Sequence, residues 1–261
     1  MMQPVVVKVG GTLLDCCSSM NRLFNAIGEL QQHGWHPVLV HGGGVLIDHY
    51  LTAFNEETVK LDGLRVTTDN QMPLVAAALA GDANTALVAA AIKAGLQPVG
   101  LSLADGGMVT ARRCRPELGW VGEVEANCDQ LLKTLLTLGM LPVISSIAVD
   151  FQGHRLNVNA DDAAVVVSQL LRAPLVLLSD VAGVLDGSGA LIAHLDRTLA
   201  EQLIVEQVIQ GGMKVKVLSA FSAAQTIQND VVIASWRSPE LLAGLAHGQS
   251  VGTLIKAQGH E

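Results

Sequence analysis

Six short apolar segments, separated by longer amphipathic patterns, constrain the fold of this chain more than any other feature. The apolar segments lie at 5–9, 37–40, 97–101, 141–145, 174–179 and 231–235. Helical patterns lie at 20–32, 45–54, 71–94, 128–138, 161–171, 198–209 and 212–228. Because strands and helices alternate at this spacing, we predict an α/β protein with a mainly parallel central sheet and helices on both faces, which is a three-layer αβα sandwich.

Two segments break this alternation. Residues 56–68 and 103–125 are rich in Gly, Thr, Val and charged side chains, and they contain the turn signals Asp62-Gly63 and Asp105-Gly106. We predict that each forms an antiparallel β-hairpin that flanks the main sheet.

The composition favours a core of aliphatic side chains. Apolar residues make up 50% of the 261 residues, and aromatic residues only 3%. This balance suits buried parallel strands with closely packed helices better than a β-sandwich. The formal net charge is −8, and no run of Lys and Arg exceeds two residues. The charge distribution therefore argues against nucleic acid or an anionic membrane as the main partner.

Other sequence features are typical of a cytoplasmic protein. The four cysteines have neither metal-site nor disulfide-framework spacing, which favours reduced thiols. The chain reaches a predicted strand by Val5, so we expect no signal or transit peptide. Apolar stretches such as 86–92 are much shorter than the ~20 residues that a membrane helix needs.

The first two predicted strands each end in a cluster of glycines. The first strand carries Lys8 and ends at Gly10-Gly11, and the second ends at His41-Gly42-Gly43-Gly44. Glycines at such turns let backbone N–H groups approach a ligand, and the N-terminus of the following helix favours negative charge. These features predict an anion site, for a phosphoryl group, built from two neighbouring strand ends.

The second glycine turn also resembles the oxyanion loop of lipases and esterases, which raises hydrolysis as an alternative. Residues 100–104 nearly match a nucleophile elbow around Ser102, and Asp180 and His194 complete a triad in the expected chain order. A nucleophile elbow leads directly into a helix, whereas here Asp105-Gly106-Gly107 follows. The lysine of the first turn would also have no role, so the sequence disfavours a hydrolase.

Three further segments place polar residues at predicted strand or helix ends. Asn157–Asp162 lies at the start of a helix, where Asn159 or Asp161 is a good N-cap. Ser179–Asp186 follows a strand as an Asp-led turn, and its small residues leave room for a base or ribose. Gly211–Lys216 opens a helix, and its lysines oppose the helix dipole, which indicates an anionic partner. No Walker A or GxGxxG fingerprint is present.

Together these motifs resemble the amino acid kinase family, and within it the branch that phosphorylates N-acetyl-L-glutamate in arginine biosynthesis. The family's motifs occur in order over essentially the whole chain: Lys8-Val-Gly-Gly, His41-Gly-Gly-Gly, Gly63-Leu-Arg65-Val-Thr67, Asn157-Val-Asn-Ala-Asp161, Leu178-Ser-Asp180-Val, and Gly212-Met followed by Lys216. The segments that contain Arg65 and Asn157 point to acetylglutamate in particular.

The resemblance implies transfer of the γ-phosphoryl group of ATP to the side-chain carboxylate of N-acetyl-L-glutamate. A carboxylate is already ionised at neutral pH, so the reaction needs positioning and charge neutralisation rather than a general base. The implied catalytic groups are Lys8 and Lys216 on either side of the phosphoryl group, Asp161 pairing with both lysines, and Gly11 and Gly44 as N–H donors.

The same resemblance implies residues that bind the two substrates. Arg65 binds the α-carboxylate of acetylglutamate, and Gly43, Gly44 and Asn157 complete that pocket. The residues expected at the nucleotide are Asp180, Val181, Ala182, Gly183, Val184, Leu185, Val208, Ile209 and Gln210. Mg²⁺ is expected to arrive with ATP and to be held mainly by phosphates and water, without a protein metal site.

The family also implies the organisation of the molecule. Residues 1–172 are expected to form a lobe that binds acetylglutamate and dimerises, and residues 173–261 a lobe that binds ATP. The family's arginine-inhibited hexamers carry an extra N-terminal helix, whereas only Met1–Pro4 precede Val5 here. We therefore expect a homodimer that arginine does not inhibit.

Two other hypotheses stay open at this point. One is an enzyme of the same fold that acts on a different carboxylate, a carbamate or a phosphate, and for which Arg65 is dispensable. The other is a non-catalytic nucleotide- or effector-binding module, which the several separate site elements disfavour. Lys214 lies close to Lys216 and Asp162 lies beside Asp161, and only the resemblance selects between the members of each pair.

Overall fold

The computed structural model describes residues 2–10, 13–14, 16–249 and 251–257. The strands are β1 (Gln3–Val9), β2 (Trp35–His41), β3 (Lys60–Leu61), β4 (Leu64–Arg65), β5 (Pro98–Ser102), β6 (Val109–Arg113), β7 (Val121–Ala126), β8 (Leu141–Ser145), β9 (Ile147–Val149), β10 (Arg155–Val158), β11 (Leu175–Ser179), β12 (Val231–Ser235) and β13 (Thr253–Ile255). The helices are α1 (Cys17–Gln32), α2 (Gly44–Ala53), α3 (Gln71–Ala76), α4 (Asn84–Lys93), α5 (Gln130–Thr137), α6 (Ala160–Leu171), α7 (Arg197–Val205) and α8 (Gly211–Ile227). Short 3₁₀ segments lie at Asp105–Gly107, Pro116–Leu118 and Pro239–His247, and a π-helical segment, Ala77–Ala83, joins α3 to α4.

A seven-stranded sheet forms the centre of the fold, in the order β13-β12-β11-β1-β2-β8-β5. Its neighbouring strands are parallel except for β12 and β13. The six strands predicted from the apolar segments are the six parallel strands of this sheet, so those predictions are confirmed. Strands β8 and β12 are buried along their whole length, as expected for a parallel sheet covered on both faces.

Alternation along β1 explains how the two faces are built. Successive side chains of a strand point to opposite faces. Val5, Val7 and Val9 pack in the core layer that contains residues of α1 and α4, whereas Val6 packs in the layer that contains residues of α6 and α8. Lys8 follows Val6 on that second face, which is why its side chain reaches α6.

A four-stranded sheet, in the order β6-β7-β10-β9, lies beside the main sheet. Strands β6 and β7 form the hairpin predicted within 103–125. The predicted turn was wrong, because Asp105-Gly106 belongs to the 3₁₀ segment before β6 and the hairpin reverses through residues 114–120. Strands β9, β10 and β13 were not predicted, because three or four residues are too few for a periodic pattern.

The hairpin predicted within 56–68 is confirmed as the antiparallel pair of β3 and β4. Its two-residue turn is Asp62-Gly63, and both residues have positive φ, 52° and 82°. Such a turn matches the twist of the paired strands and favours Asp-Gly, which is why the sequence revealed it.

Helix α7 ends earlier than the pattern at 198–209 predicts. After Val205 the backbone N–H groups of Val208 and Ile209 both donate hydrogen bonds to the Leu203 carbonyl, and Gln207 adopts a positive φ of 59°. A left-handed residue at this position ends the helix.

Among the described residues, one helix, Gln71–Lys93, is long and apolar enough by length and composition to cross a membrane. A core helix of a soluble protein passes the same test. Here Val75, Leu79 and Leu87 are buried inside the fold, whereas Ile92 is 60% exposed. The helix therefore contributes to the core with one face and leaves several apolar side chains exposed on the other.

Candidate active site

Strand ends and helix N-termini converge on a cleft of about 800 Å³. Its lining includes Lys8 of β1, Ser179 at the end of β11, Asp161 of α6 and Lys216 of α8. In open α/β sheets the carboxyl ends of parallel strands are where ligands bind. The cleft therefore brings together two of the predicted lysines and one predicted carboxylate.

The start of α6 is fixed by an N-cap. The side-chain oxygen of Asn159 accepts a hydrogen bond from the backbone N–H of Asp161 at 2.8 Å. Of the two N-caps predicted here, Asn159 is the one that the structure confirms. This cap places Asp161 and Asp162 in the first turn, where the helix dipole favours carboxylates. Burial raises the pKa of Asp162, with smaller contributions from Asp161 and Glu123.

Lys8 and Asp161 form an ion pair in the cleft. The Lys8 Nζ atom lies 2.9 Å from Asp161 Oδ1, and the lysine side chain is 17% exposed. This contact directs the ammonium group along the N-terminus of α6. A lysine held in this way presents a localised positive charge to an anion in the cleft.

Lys216 pairs with a different carboxylate from the one expected. Its Nζ atom contacts Asp180 Oδ1 and lies 3.5 Å from the Ser179 hydroxyl. The hydrogen bond from Lys216 lowers the pKa of Asp180. The expectation that Asp161 pairs with both lysines is therefore wrong for Lys216 in this structure, because the end of β11 supplies a nearer carboxylate.

Lys214 does not share this position. It is exposed and does not line the cleft, and no ion pair of Lys214 occurs within the described part of the chain. The structure thus separates two lysines that the residues themselves left equivalent.

The second glycine turn begins beside the end of β1. Val9 of β1 is paired with His41 of β2, and the Gly42 N–H donates to the Val9 carbonyl at 3.5 Å. A Cβ atom on Gly43 would lie 2.8 Å from a methyl group of Leu79, whereas one on Gly44 would meet no protein atom within 4 Å. A side chain at 43 would therefore displace Leu79, whereas position 44 has free space that is available to a ligand. The predicted donor Gly11 lies outside the described residues.

Arg65 is held at the second glycine turn by three oxygen atoms. Its guanidinium donates to Asp48 Oδ1 at 2.6 Å, to the Thr58 hydroxyl at 2.9 Å and to the Gly44 carbonyl at 3.1 Å. The Arg65 side chain is 8% exposed, and it lowers the pKa of Asp48. Sequence reasoning missed Asp48. The available signal was that a carboxylate one turn into α2 can reach back to the start of that helix.

Asn157 and Arg65 are connected through Thr67. The Asn157 Nδ2 atom donates to the Thr67 hydroxyl at 3.0 Å, and that hydroxyl donates to the Arg65 carbonyl at 3.3 Å. Thr67 is fully buried, and its backbone also pairs with Leu118 and Trp120. The two residues that point to acetylglutamate therefore belong to one hydrogen-bonded unit.

His41 and Asn84 form a fully internal pair that sequence reasoning did not find. The Asn84 Nδ2 atom lies 3.0 Å from His41 Nε2, and it also contacts the carbonyl oxygens of Val143 and Leu101. His41 Nδ1 lies 3.1 Å from the Gly42 carbonyl. Burial lowers the pKa of His41 from 6.5 to about 4, opposed only by the bond to Gly42.

Acidification should therefore destabilise the fold through His41. The unfolded chain binds a proton at a higher pH than the folded chain, so the free energy of unfolding falls as the pH drops below about 6.5, by about 2 kcal/mol at pH 5. Urea unfolding of the wild type and of His41→Gln, each at neutral pH and at pH 5, measures this difference. All other titrating groups are common to the two proteins, so an equal loss of stability in both would contradict the assignment.

The residues predicted at the nucleotide form two loops next to Lys216. Gly183 has a φ of 150°, and a Cβ atom on it would clash with Leu191 and Thr253. The Thr253 hydroxyl accepts from the Val184 N–H at 2.8 Å, which fixes this loop to β13. The side chains of Val184 and Ile209 are buried in the core, so these two residues offer only their backbone to a ligand.

The structure disagrees with the hydrolase alternative. The Ser102 hydroxyl donates to the Asp105 carboxylate at 3.0 Å, and a 3₁₀ turn rather than a helix follows the strand. Asp180 contacts Lys216 instead. Within the described ranges, no Ser–His–Asp triad forms from Ser102, Asp180 and His194.

Comparisons with known proteins agree with this geometry. The chain matches the sequence model of the amino acid kinase family over residues 3–235. It is 52% identical over 252 residues to the acetylglutamate kinase of Shewanella denitrificans, covering 97% of both chains. It is 49% identical over 253 residues to the acetylglutamate kinase of Vibrio cholerae, again covering 97% of both. A part of the solved N-acetylglutamate synthase of Neisseria gonorrhoeae has the same fold, with a TM-score of 0.83 at 23% identity over 99% of this chain and 60% of that one.

The chain belongs to the amino acid kinase family. Its mainly parallel central sheet is in keeping with that family. Within the family, its similarity to acetylglutamate kinases extends over almost its entire length.

Proposed function

We propose that this protein phosphorylates N-acetyl-L-glutamate with ATP. An oxygen of the substrate's side-chain carboxylate bonds to the γ-phosphorus, the bond to the β–γ bridging oxygen breaks, and ADP leaves. The observation that carries the proposal is the placement of Arg65, whose guanidinium is fixed at the Gly44 carbonyl beside the second glycine turn. That arrangement places a planar guanidinium group, which can bind a carboxylate through two hydrogen bonds, next to the turn at which the acceptor reacts.

The chemical step depends on charge neutralisation. The two reactants are both anions, and the transferred group spreads negative charge over its oxygens. In this proposal Lys8 and Lys216 stabilise that charge from two sides, and the N–H groups of Gly11 and Gly44 donate to it. Asp161 orients Lys8, and Asp180 releases Lys216 when the nucleotide phosphates arrive. The ion pair at 2.9 Å and the contact of Lys216 with Asp180 support these roles.

The two substrates occupy different parts of the site in this proposal. Arg65 binds the α-carboxylate of acetylglutamate, and Gly43, Gly44 and Asn157 complete its pocket within residues 1–172. ATP contacts the loops at 180–185 and 208–210 within residues 173–261. Mg²⁺ arrives with ATP and is held by phosphates and water. No group of three His, Cys, Asp or Glu side chains suited to a metal occurs among the described residues.

Coupled ADP release across an acceptor panel tests the function. We expect turnover with N-acetyl-L-glutamate and little with L-glutamate, N-acetyl-L-aspartate, carbamate or inorganic phosphate. Hydroxylamine should trap the acyl phosphate as a hydroxamate. A different preferred acceptor would instead establish another enzyme of this fold. ATP binding without turnover on any acceptor would establish a binding module.

We further propose a cytoplasmic homodimer that acts in arginine biosynthesis. The helix Gln71–Lys93 leaves apolar side chains exposed, among them Ala80, Ala89 and Ile92, and the neighbouring β5 is an edge strand of the main sheet. An exposed apolar surface on a helix that contacts an edge strand favours pairing with a second copy.

Replacing Ile92 with glutamate should convert the dimer into monomers. The substitution places a charge in an interface that must exclude water, and Ile92 is 60% exposed in the single chain, so its fold should be unaffected. Analytical ultracentrifugation over a range of concentrations measures the change. Leu138→Glu, at a residue that is 61% exposed at the end of α5, is the matched control and should remain dimeric. A monomeric wild type, or an unchanged Ile92 variant, would refute this interface.

A further inference from the structure

Asn84 makes an unusual set of contacts for a helical residue. Its Nδ2 atom lies 2.9 Å from the Val143 carbonyl and 3.3 Å from the Leu101 carbonyl, as well as 3.0 Å from His41 Nε2. Two carbonyl neighbours identify this atom as the amide nitrogen, which only donates. One buried side chain thus joins a helix to three parallel strands, β2, β5 and β8.

The local backbone is adapted to this side chain. Asn84 begins α4 directly after the π-helical segment Ala77–Ala83, and such segments occur frequently at functional sites. Gly100 of β5 faces Asn84, and a Cβ atom at that position would overlap the Asn84 side-chain oxygen. The helix and the sheet therefore both make room for this amide.

The hydrogen bonds have a fixed direction that ends at the second glycine turn. Because Asn84 donates to Nε2 of His41, the proton of the neutral imidazole must lie on Nδ1. The Nδ1–H group then donates to the Gly42 carbonyl at 3.1 Å. His41 is fully buried and Asn84 is 5% exposed, so water does not compete for these bonds.

We propose that Asn84 is a positioning residue: acting through His41, it fixes the orientation of the Gly42–Gly44 turn at which the acceptor carboxylate binds. The carbonyl of Gly42 is held back by the imidazole, and the N–H groups that follow it then face the substrate. The inference rests on the proposed function, because it assigns the turn to the acceptor rather than to the nucleotide.

A purely structural role predicts a different result. If Asn84 only stabilised the fold, its loss would lower the free energy of unfolding without changing the KM of either substrate. If it positions the turn, its loss raises the KM for acetylglutamate and leaves the KM for ATP unchanged, because the nucleotide loops follow β11 and α7 rather than β2.

Three variants disturb the pair in different ways. Asn84→Ala removes the donor, and Gly100→Ala displaces the amide without changing either hydrogen-bonding side chain. Each should raise the KM for acetylglutamate on the order of 10-fold or more, because small displacements of positioning groups are costly. Asn84→Asp substitutes an acceptor for the donor. It should draw a proton onto Nε2, so that the KM for acetylglutamate varies with pH near neutrality where that of the wild type does not.

Both ring nitrogens of His41 contact groups that do not titrate. Its ring nitrogens contact the amide of Asn84 and the carbonyl of Gly42, and no charged side chain of the described residues contributes to its pKa. A new pH dependence in Asn84→Asp is therefore assignable to the substituted position.

Kinetics and nitrogen-15 NMR of the histidine rings together decide the proposal. The full-length wild type should show His41 with a bare Nε2 throughout the range around neutral pH, and Asn84→Asp should show Nε2 gaining a proton as the pH is lowered through neutrality. Leu87→Val, a core substitution one turn along the same helix, controls for lost stability and should leave both KM values unchanged. Unchanged KM values in folded Asn84→Ala and Gly100→Ala would overturn the positioning role. A wild type that does not use acetylglutamate but shows the stated ring protonation would overturn the proposed function instead.

Discussion

Replacing Lys216 with alanine should lower kcat by about 10³-fold, whereas Lys214→Ala should leave it within about 2-fold. Both lysines lie in the first turns of α8, and they differ in where their side chains lie. Lys216 lines the cleft and contacts Asp180, whereas Lys214 is exposed away from it. A charge that neutralises the transferred phosphoryl group acts mainly in the transition state, so the loss should fall on kcat rather than on KM.

Steady-state kinetics with saturating ATP and acetylglutamate measures this difference. Thermal unfolding serves as the control for folding, since neither lysine is part of the core. Lys8→Ala should lose activity on the same scale, and Lys216→Arg should recover part of it because the charge is kept. Equal effects at 214 and 216 would contradict the assignment and would point to a general contribution of positive charge.

The parallel strands could be predicted because their local and tertiary requirements coincide. A strand buried on both faces needs a continuous aliphatic run, and residues 141–145 and 231–235 provide one. Strand β10 has no such run, because it exists only where Asn157 pairs with Val121 of β7 and with Ile147 of β9. Four residues are too few for a periodic pattern, and β7, one of its two partner strands, is distant in sequence, so no local pattern marks β10.

The residues of the candidate site also fall into those that the sequence predicted and those that it did not. Lys8, Arg65 and Asp161 belong to motifs that are contiguous in sequence, so they could be named. The residues that orient them could not be named from the sequence. Asp48 and Asn84 acquire their roles only when α2 and α4 pack against the second glycine turn. The sequence also could not show that Lys216 contacts Asp180 instead of Asp161, because the carboxylate that lies nearer to Lys216 depends on where α8 begins.

Replacing Arg65 with lysine should raise the KM for acetylglutamate about 100-fold while leaving the KM for ATP unchanged. A lysine keeps the charge but cannot contact Asp48, Gly44 and a substrate carboxylate in one plane. Asp48→Asn should cause a smaller rise, about 10-fold, because the guanidinium then loses its orientation but not its charge. The two changes touch one network, so their effects in the double variant should not be additive.

Arg115→Lys provides a matched control, since Arg115 pairs with Asp62 in the neighbouring hairpin turn at 3.0 Å and does not reach the glycine turn. It should leave both KM values unchanged. If Arg65→Lys were also without effect on acetylglutamate, the acceptor's α-carboxylate would not bind at Arg65. The enzyme of the same fold with a different acceptor would then be the better explanation, because that hypothesis alone makes Arg65 dispensable. An increase confined to the KM for ATP would instead place the nucleotide at the second glycine turn and would reverse the assignment of the two substrates.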